Sequence, residues 1–429
     1  MITPKRPSGF HEFLPAEQIA FDKMIAIIRQ SYERYGYSPL ETPALELTSV
    51  LHAKEGGETA KQGYQFTKGD TDLALRFDLT VPLARYVAEH YNELALPFCR
   101  YQIQDVWRAE KPQAGRYRQF YQCDIDIIGN TGVAADANIL IAMAGTMSAL
   151  GLKSVIHLSN RKIFSGLLAS RKLDKQAVEI LRLLDKLDKA GTSKIKKSLL
   201  EIGLSEMNAD FLLTVASWKE NAGAIIDKLS ALHIENSQFT EGLQELRETS
   251  ILLAAAGVSA DEYIVDLGIF RGFDYYTGMV FEITLRDNTE IGSVGSGGRY
   301  DNLVGHYSKE KLSGVGGSIG LSRLFAALKN KNTVSSSAQA LIVVFNEKLL
   351  PYCFMVASQL RHSEINVAVY PSIDKASKQL NYANKLGIPF VLLCGEEEKR
   401  SKTVTVKHMA SGEQKTMALT KVATFLKKL

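Results

Sequence analysis

Apolar and aromatic residues recur at alternate positions in two runs within residues 98–129, FCRYQIQDVWRAEKPQAGRYRQFYQCDIDIIG, and a polar break at 111–116 separates them. Period-two patterning around a Pro- and Gly-bearing break predicts two antiparallel strands joined by a long tip. Residues two apart on a strand share a face. Arg108 and Glu110 are therefore expected on one face of the first strand, and Gln122, Asp124 and Asp126 on one face of the return strand. An arginine facing carboxylates on a rigid floor suits a phosphate beside a cationic or hydrogen-bonding ligand. The same residues also suit an ordinary solvated sheet face.

Elsewhere the period changes. Residues 16–35 place Ile19, Met24, Ile27, Ile28 and Tyr32 at helical spacing. Pro39 and Pro43 then restrict the chain to extended backbone. Residues 73–86, LALRFDLTVPLARY, predict a strand carrying Arg76 and Asp78, then a helix capped by Thr80 with Pro82 in its first turn. Asp78 ends that strand, placed to receive an amino group or to cap the helix. An apolar helix over 134–150 and a strand over 155–158 follow, and 160–256 is mostly helical with no acid–base cluster.

Residues 263–284 predict two strands around Arg271, Asp274, Tyr275, Tyr276 and Thr277, a crowding that costs stability unless each side chain meets a partner. Residues 292–303 are read as a glycine-rich turn before Arg299, and 314–328 as a glycine-rich strand entering a helix near Arg323. After a polar linker at 329–337, the runs ALIVVF, NVAVY, PFVLLC and TVTVKH alternate with helices over 348–362 and 375–386. That order predicts a compact α/β domain with a mostly parallel or mixed sheet.

Composition narrows the class. The 429 residues are 45% apolar and 23% charged, as expected of a soluble globular enzyme of two or three domains. No run of 18 apolar residues occurs, so no membrane span is expected. The first residues lack an apolar signal core, and Cys99, Cys123, Cys353 and Cys394 form no CxxC pair. A cytoplasmic protein with buried thiols and no metal-ligating set is expected. From Ser336 onward 13 Lys and Arg stand against 7 Asp and Glu, which points to a polyanionic partner for the C-terminal domain.

The 98–129 segment, with its arginine, an acid two residues on, the GRYRQF turn and the QxDxDxxG return, resembles the second signature of class II aminoacyl-tRNA synthetases, in detail that of the histidyl family. GYSPLETPALE resembles their first signature, whose proline, here Pro43, lies in an element that packs across a homodimer. RFDLT is similar to the family's R-x-[DE]-x-T segment, and RGFDYYTG to its histidine-specific RGLDYYTG, with Phe273 for leucine. GGRYDNL carries Asn302 for the usual glycine. GVGGSIGLSRLFAAL resembles the third signature, with Ser322 where an acid is usual. SKQLNYANKLGIPFVLLCGEEE resembles the group's anticodon-binding domain.

The resemblance implies an α+β fold: a class II antiparallel-sheet catalytic domain over 1–160 and 257–328, a helical insertion over 161–256, the linker, and an α/β anticodon-binding domain over 338–429. It implies an ATP-dependent ligase that activates L-histidine and charges tRNA(His) as a homodimer, with Mg²⁺ on the β- and γ-phosphates. Arg108 and Arg271 are the implied catalytic residues, holding the α-phosphate. Arg108, Glu110, Arg116, Phe120 and Arg323 would bind ATP, with Phe120 stacked on adenine. Asp78, Leu79 and Thr80 would hold the substrate amine, Arg108 and Arg271 its carboxylate, and Gln122, Asp126, Tyr275 and Tyr276 its imidazole. Gln113 and Arg118 would touch tRNA, and the insertion the acceptor stem.

Two rivals share the fold. One is the regulatory subunit of ATP phosphoribosyltransferase, a paralogue that generally lacks the RGxDYY arginine and the anticodon domain. The other is a degenerate module that senses uncharged tRNA. Arg108, Arg271, Arg323 and the full C-terminal domain argue against both.

Overall fold

The computed structural model describes residues 1–53, 63–112, 115–270, 276–301, 304–328 and 336–428. They form two compact units: Met1–His11 with Ile25–Lys329, and Glu12–Met24 with Asn330–Leu429.

A nine-stranded sheet organises the first unit. Its order is Ser38–Pro39, Phe98–Trp107, Gln119–Ile128, Gly314–Gly320, Gly295–Tyr300, Met279–Leu285, Ser154–Asn160, Tyr263–Asp266 and Lys219–Glu220. Every pairing from Phe98–Trp107 across to Ser154–Asn160 is antiparallel. Strand periodicity gives this sheet two unlike faces. Arg100, Asp126, Gly316 and Gly298 lie in one cross-strand row, and Gln102, Asp124, Ser318 and Ser296 in the next. The other face presents Cys123, Ile125, Ile319 and Phe281, all buried. The helix Val133–Ala149 covers it, since a Cβ on Gly317 would touch Ile139 and Met143 at 3.4 and 3.5 Å. Burial of each such side chain stabilises the floor by about 1.5–3 kcal/mol. Tyr32 also donates to the Cys123 carbonyl at 3.0 Å, and the Ser31 and Thr146 hydroxyls meet at 2.8 Å.

Four local expectations change. The stretch read as a glycine-rich turn holds the strand Gly295–Tyr300, packed between two neighbours where side chains do not fit: a Cβ on Gly297 would lie 2.2 Å from the Gly316 carbonyl. Glycine disfavours strands by local propensity, and close backbone approach overrides that here. The first hairpin strand ends at Trp107, so Arg108 and Glu110 follow it rather than share a face of it. The helix Thr80–Glu89 is capped by Asp78, whose Oδ1 accepts the Val81 amide at 3.0 Å; Thr80 is the first helical residue. The strand before it, Thr71–Leu75, stops short of both Arg76 and Asp78.

Thr71–Leu75 belongs to a small sheet with Leu45–Leu47 and Gln65–Lys68, on which Leu45, Leu47 and Phe66 are exposed. The insertion runs as helices from Arg161–Ser170 to Ser237–Ala255, and its short strand Lys219–Glu220 joins the edge of the large sheet.

The second unit holds a five-stranded sheet in the order Val367–Val369, Ala340–Val343, Phe390–Leu393, Thr403–His408, Gln414–Ala418. The first three strands are parallel and the last two pairings antiparallel, a mixed sheet. Its core joins Ile342, Val356, Leu360, Leu392, Val404 and Val422. The strand Gln414–Ala418 and helices Glu396–Ser401 and Leu419–Lys427 extend beyond the elements expected from sequence. The expected linker lies largely outside the described residues.

Candidate active site

The polar face of the large sheet carries the chemistry. Arg100 and Asp126 stand opposite each other on the hairpin, and Arg100 Nη2 lies 2.7 Å from Asp126 Oδ2 with both side chains buried. The same nitrogen donates to the Leu79 carbonyl at 3.3 Å, and Nη1 to Gln102 Oε1 at 3.4 Å. Tyr300 donates its hydroxyl proton to Asp126 Oδ1. Gly316 makes room for that carboxylate, since a Cβ there would lie 2.0 Å from Asp126 Oδ1. Gly298 does the same for the Tyr276 ring, at 2.8 Å.

Beside Asp126, Gln122 Nε2 donates to Ser318 Oγ at 3.0 Å, and the Ser318 hydroxyl in turn reaches Asp124. Among the described residues, two acceptor atoms on this face outside the Arg100–Asp126 ion pair, Gln122 Oε1 and Asp124 Oδ1, are buried with no hydrogen-bond partner, and Asp126 Oδ2 has only its ion-pair contact with Arg100. Buried polar atoms are ordinarily satisfied, so unpaired buried acceptors on this floor point to a ligand that donates.

The electrostatics follow from burial. Burial pushes the Asp126 carboxyl up to about 6, opposed by the Arg100 charge and the Tyr300 hydroxyl. Asp124 is pushed up to about 7 by burial, with Arg100 opposing and Asp126 adding to the rise. Asp78 is also raised by burial, against the Val81 amide and the Arg108 charge. The Tyr276 phenol is raised by burial and then by Asp126, Asp124 and Asp78, which places it over the same floor.

Arg108 emerges where the first hairpin strand ends. Its Nε donates to the Phe77 carbonyl at 3.0 Å, and its guanidinium carbon lies 5.1 Å from the centre of the Phe120 ring. Arg323 sits in the first turn of the helix Leu321–Leu328 and donates to the Ile291 carbonyl. Its side chain adjoins the hairpin tip, since a Cβ on Gly115 would lie 3.7 Å from Arg323 Cγ. Ser322 beside it accepts the Tyr121 amide at 3.0 Å, which ties this helix to the return strand.

Glu110 and Arg116 are exposed at the tip. Arg118 is a brace between segments: Nε donates to the Glu110 carbonyl at 3.1 Å and Nη1 to Ser8 O at 3.2 Å, while its amide reaches Gly9 O at 2.8 Å. Leu79 is fully buried, and Thr80 beside it is partly exposed. Arg271, Tyr275 and Gln113 lie outside the described residues.

Arg100 was not singled out from the sequence, and Asp124 was placed on the polar face of the return strand but given no binding role. The signal for Arg100 was present in FCRYQIQDVW, where Arg100, Gln102 and Gln104 alternate with Tyr101 and Ile103. Arg299 is another buried cation, bound to Asp136 at 2.6 Å, with Nη1 donating to Ser313 Oγ at 2.7 Å and to Asn130 O at 2.9 Å. It holds the floor to the helix behind it.

An antiparallel sheet with acids and an arginine on its polar face, signature arginines at the hairpin tip and after the last floor strand, and a separate mixed α/β domain together define a class II aminoacyl-tRNA synthetase. Residues 9–324 match the family model for histidyl-tRNA synthetase, and 339–429 that for the anticodon binding domain. Histidine–tRNA ligases of Clostridium tetani and Stenotrophomonas maltophilia are each 43% identical, over 100% and 96% of this chain and 99% and 95% of theirs. The crystal structure of histidyl-tRNA synthetase from Nostoc sp. PCC 7120 is similar over 100% of both chains, at 35% identity and a TM-score of 0.92. The chain belongs to the histidyl-tRNA synthetase family. A structure described as an ATP phosphoribosyltransferase regulatory subunit/histidyl-tRNA synthetase, from Bacillus halodurans C, is 21% identical with a TM-score of 0.77, a likeness of fold alone.

Proposed function

We propose that this chain performs the family's ATP-dependent ligation of L-histidine to tRNA(His) with the following division of labour. The observation that carries it is the pair of unpartnered buried acceptors, Gln122 Oε1 and Asp124 Oδ1, on a floor whose Asp126 is held by Arg100. The substrate imidazole lies against Gln122, Asp126 and Tyr276, with Tyr275 lining the slot. Its amine is received by Asp78, with Leu79 and Thr80 beside it. A neutral isostere that cannot donate would leave buried acceptors unpaired, which is how such a slot rejects it.

The carboxylate of histidine attacks the α-phosphorus of ATP, the bond to the pyrophosphate oxygen breaks, and pyrophosphate leaves. The attacking group is already ionised at neutral pH, so no general base is needed. Positioning and charge stabilisation carry the step. Arg108 and Arg271 offer planar, permanently charged forks to the α-phosphate and the attacking carboxylate. Phe120 stacks on adenine with Glu110 nearby, and Arg116 and Arg323 hold the phosphate end. The tRNA terminal ribose hydroxyl then attacks the adenylate carbonyl and AMP leaves. Gln113 and Arg118 face the tRNA end, and the basic C-terminal unit takes the anticodon.

Mg²⁺ fits as a cation held mainly by the phosphates and water. Among the described residues no group of three or more His, Cys, Asp or Glu side chains is arranged to hold a metal. When bound, it neutralises phosphate charge. The working form is a homodimer formed through the stretch around Pro43, a reading supported by the exposed Leu45 and Leu47 beside it. Its compartment is the cytoplasm, supported by four free thiols.

The test is histidine-dependent exchange of pyrophosphate into ATP. The wild type is expected to be active and Arg271→Ala to lose most of the exchange. An Arg271→Ala variant with wild-type exchange removes Arg271 from the mechanism, and a wild type inert with histidine and ATP removes the assignment.

A further inference from the structure

The charges on the floor do not balance in pairs. Arg100 is the one fully buried cation facing the slot among the described residues, and its ion-pair partner is Asp126. Asp124 is 3% exposed, one cross-strand row away, and among the described residues no ion pair joins it to a cation, though it lies in the field of Arg100. Arg76 is the next guanidinium, and it is committed to the Thr42 carbonyl at 2.6 Å, Gln104 Oε1 at 2.8 Å and the Asp105 carbonyl at 2.9 Å. Asp78 adds a further carboxylate above the floor, and Arg108 lies toward it. Tyr276 bears on Asp124 from the slot side, and Tyr32 and Cys123 from behind the sheet. All three are neutral at physiological pH, each being raised by burial.

A buried carboxylate without a cation is costly, and it is relieved by a proton or by a positive ligand. Asp124 Oδ1 is unpartnered, while Ser318 and Gln122 tie down its surroundings. Resting on the reading of this slot as the histidine site, we infer that Asp124 is a further specificity-determining residue, and that it makes the slot bind histidine as its imidazolium. Below about pH 7 Asp124 carries a proton before histidine binds, and above it the carboxylate is ionised. The arriving ring takes that proton, or one from solvent, on its nitrogen, and the resulting cation sits between Asp124 and Asp126 with Arg100 balancing the second charge. Asp124, pushed up to about 7 in the empty site, becomes an ionised counter-ion once the ring is bound.

This account predicts a proton count. Free imidazole titrates near 6.5, so binding at pH 8 takes up close to one proton per histidine, and by pH 6 the sign reverses to net release. The experiment is calorimetric titration of L-histidine into the full chain, in buffers of different ionisation enthalpy, from pH 6 to 8. Asp124→Asn keeps the side-chain shape and is expected to abolish the uptake at pH 8. It is also expected to raise the histidine KM roughly 10- to 100-fold, with the ATP KM nearly unchanged.

A second arm needs no variant. 1,2,4-Triazolyl-3-alanine presents a similar ring that is not basic, and the wild type should bind it roughly 10- to 100-fold more weakly than histidine. Wild-type binding of histidine at pH 8 without proton uptake overturns the inference and leaves the histidine site standing. So does an Asp124→Asn variant that takes up the same proton. A chain that binds no histidine overturns the assignment of the slot itself.

Discussion

Replacing Arg100 by methionine removes a cation of similar length from beneath the site. Arg100 is fully buried, 2.7 Å from Asp126, and it also links the return strand to the Leu79 carbonyl and to Gln102. Deleting one member of a buried ion pair strands the other, which costs about 3–5 kcal/mol. At about 2 °C per kcal/mol for a unit of this size, the unfolding transition of the catalytic unit should fall by roughly 6–10 °C. The relevant transition is the one that histidine and ATP shift upward.

The loss should depend on pH. The folded-state pKa of Asp126, about 6, lies above that of an unfolded aspartate. The folded form therefore binds more protons in that window, and this group's contribution is fully present below the unfolded pKa and is lost as pH rises through the folded one. Without Arg100 the folded pKa climbs further, so the deficit of Arg100→Met should be larger at pH 8 than at pH 5.5. The double variant Arg100→Met/Asp126→Asn should recover most of the stability, since a buried pair exchanged for neutral groups of similar volume is often tolerated. Differential scanning calorimetry of the three proteins at both pH values reads all of this. A deficit under about 2 °C, or a double variant no better than the single, would refute the reasoning.

Gly316→Ala should raise the histidine KM at least tenfold while leaving the ATP KM nearly unchanged, because its Cβ would lie 2.0 Å from Asp126 Oδ1; steady-state exchange kinetics decide this. Arg323→Ala should lower kcat/KM for ATP by roughly 10- to 100-fold with histidine binding intact, read by calorimetry beside the exchange assay. Arg118→Ala should slow adenylate formation as well as tRNA charging, because the guanidinium braces the carbonyls of Ser8 and Glu110; loss of charging alone would restrict Arg118 to the tRNA end.

The hairpin, the apolar helix behind it and the third-signature strand were legible in the residues, because each has a strong period or an unmistakable local pattern. Misreadings fell where local rules compete. Asp78 and Thr80 are both good caps, and only the chain path decides that Asp78 reaches the Val81 amide. Residues 295–300 look like a turn by glycine content, yet neighbours on both sides make glycine the residue that fits a strand there. Arg100 was overlooked, and Asp124 left without a role, because a cation or acid on a strand is uninformative until its cross-strand partner is known. Register supplied that: Arg100 opposite Asp126, and Asp124 beside Ser318.

The two-faced return strand has an implication for how this enzyme can change length. Removing or adding one residue within Gln119–Ile128 would rotate the following side chains to the opposite side, sending Asp124 and Asp126 into oil and Ile125 into the substrate slot. The tip beyond Trp107 carries no such parity rule. The loop can therefore change size while the strand has to keep its residue count, and small deletions scanned from Lys111 to Ile128 should be far less tolerated after Arg118 than before it.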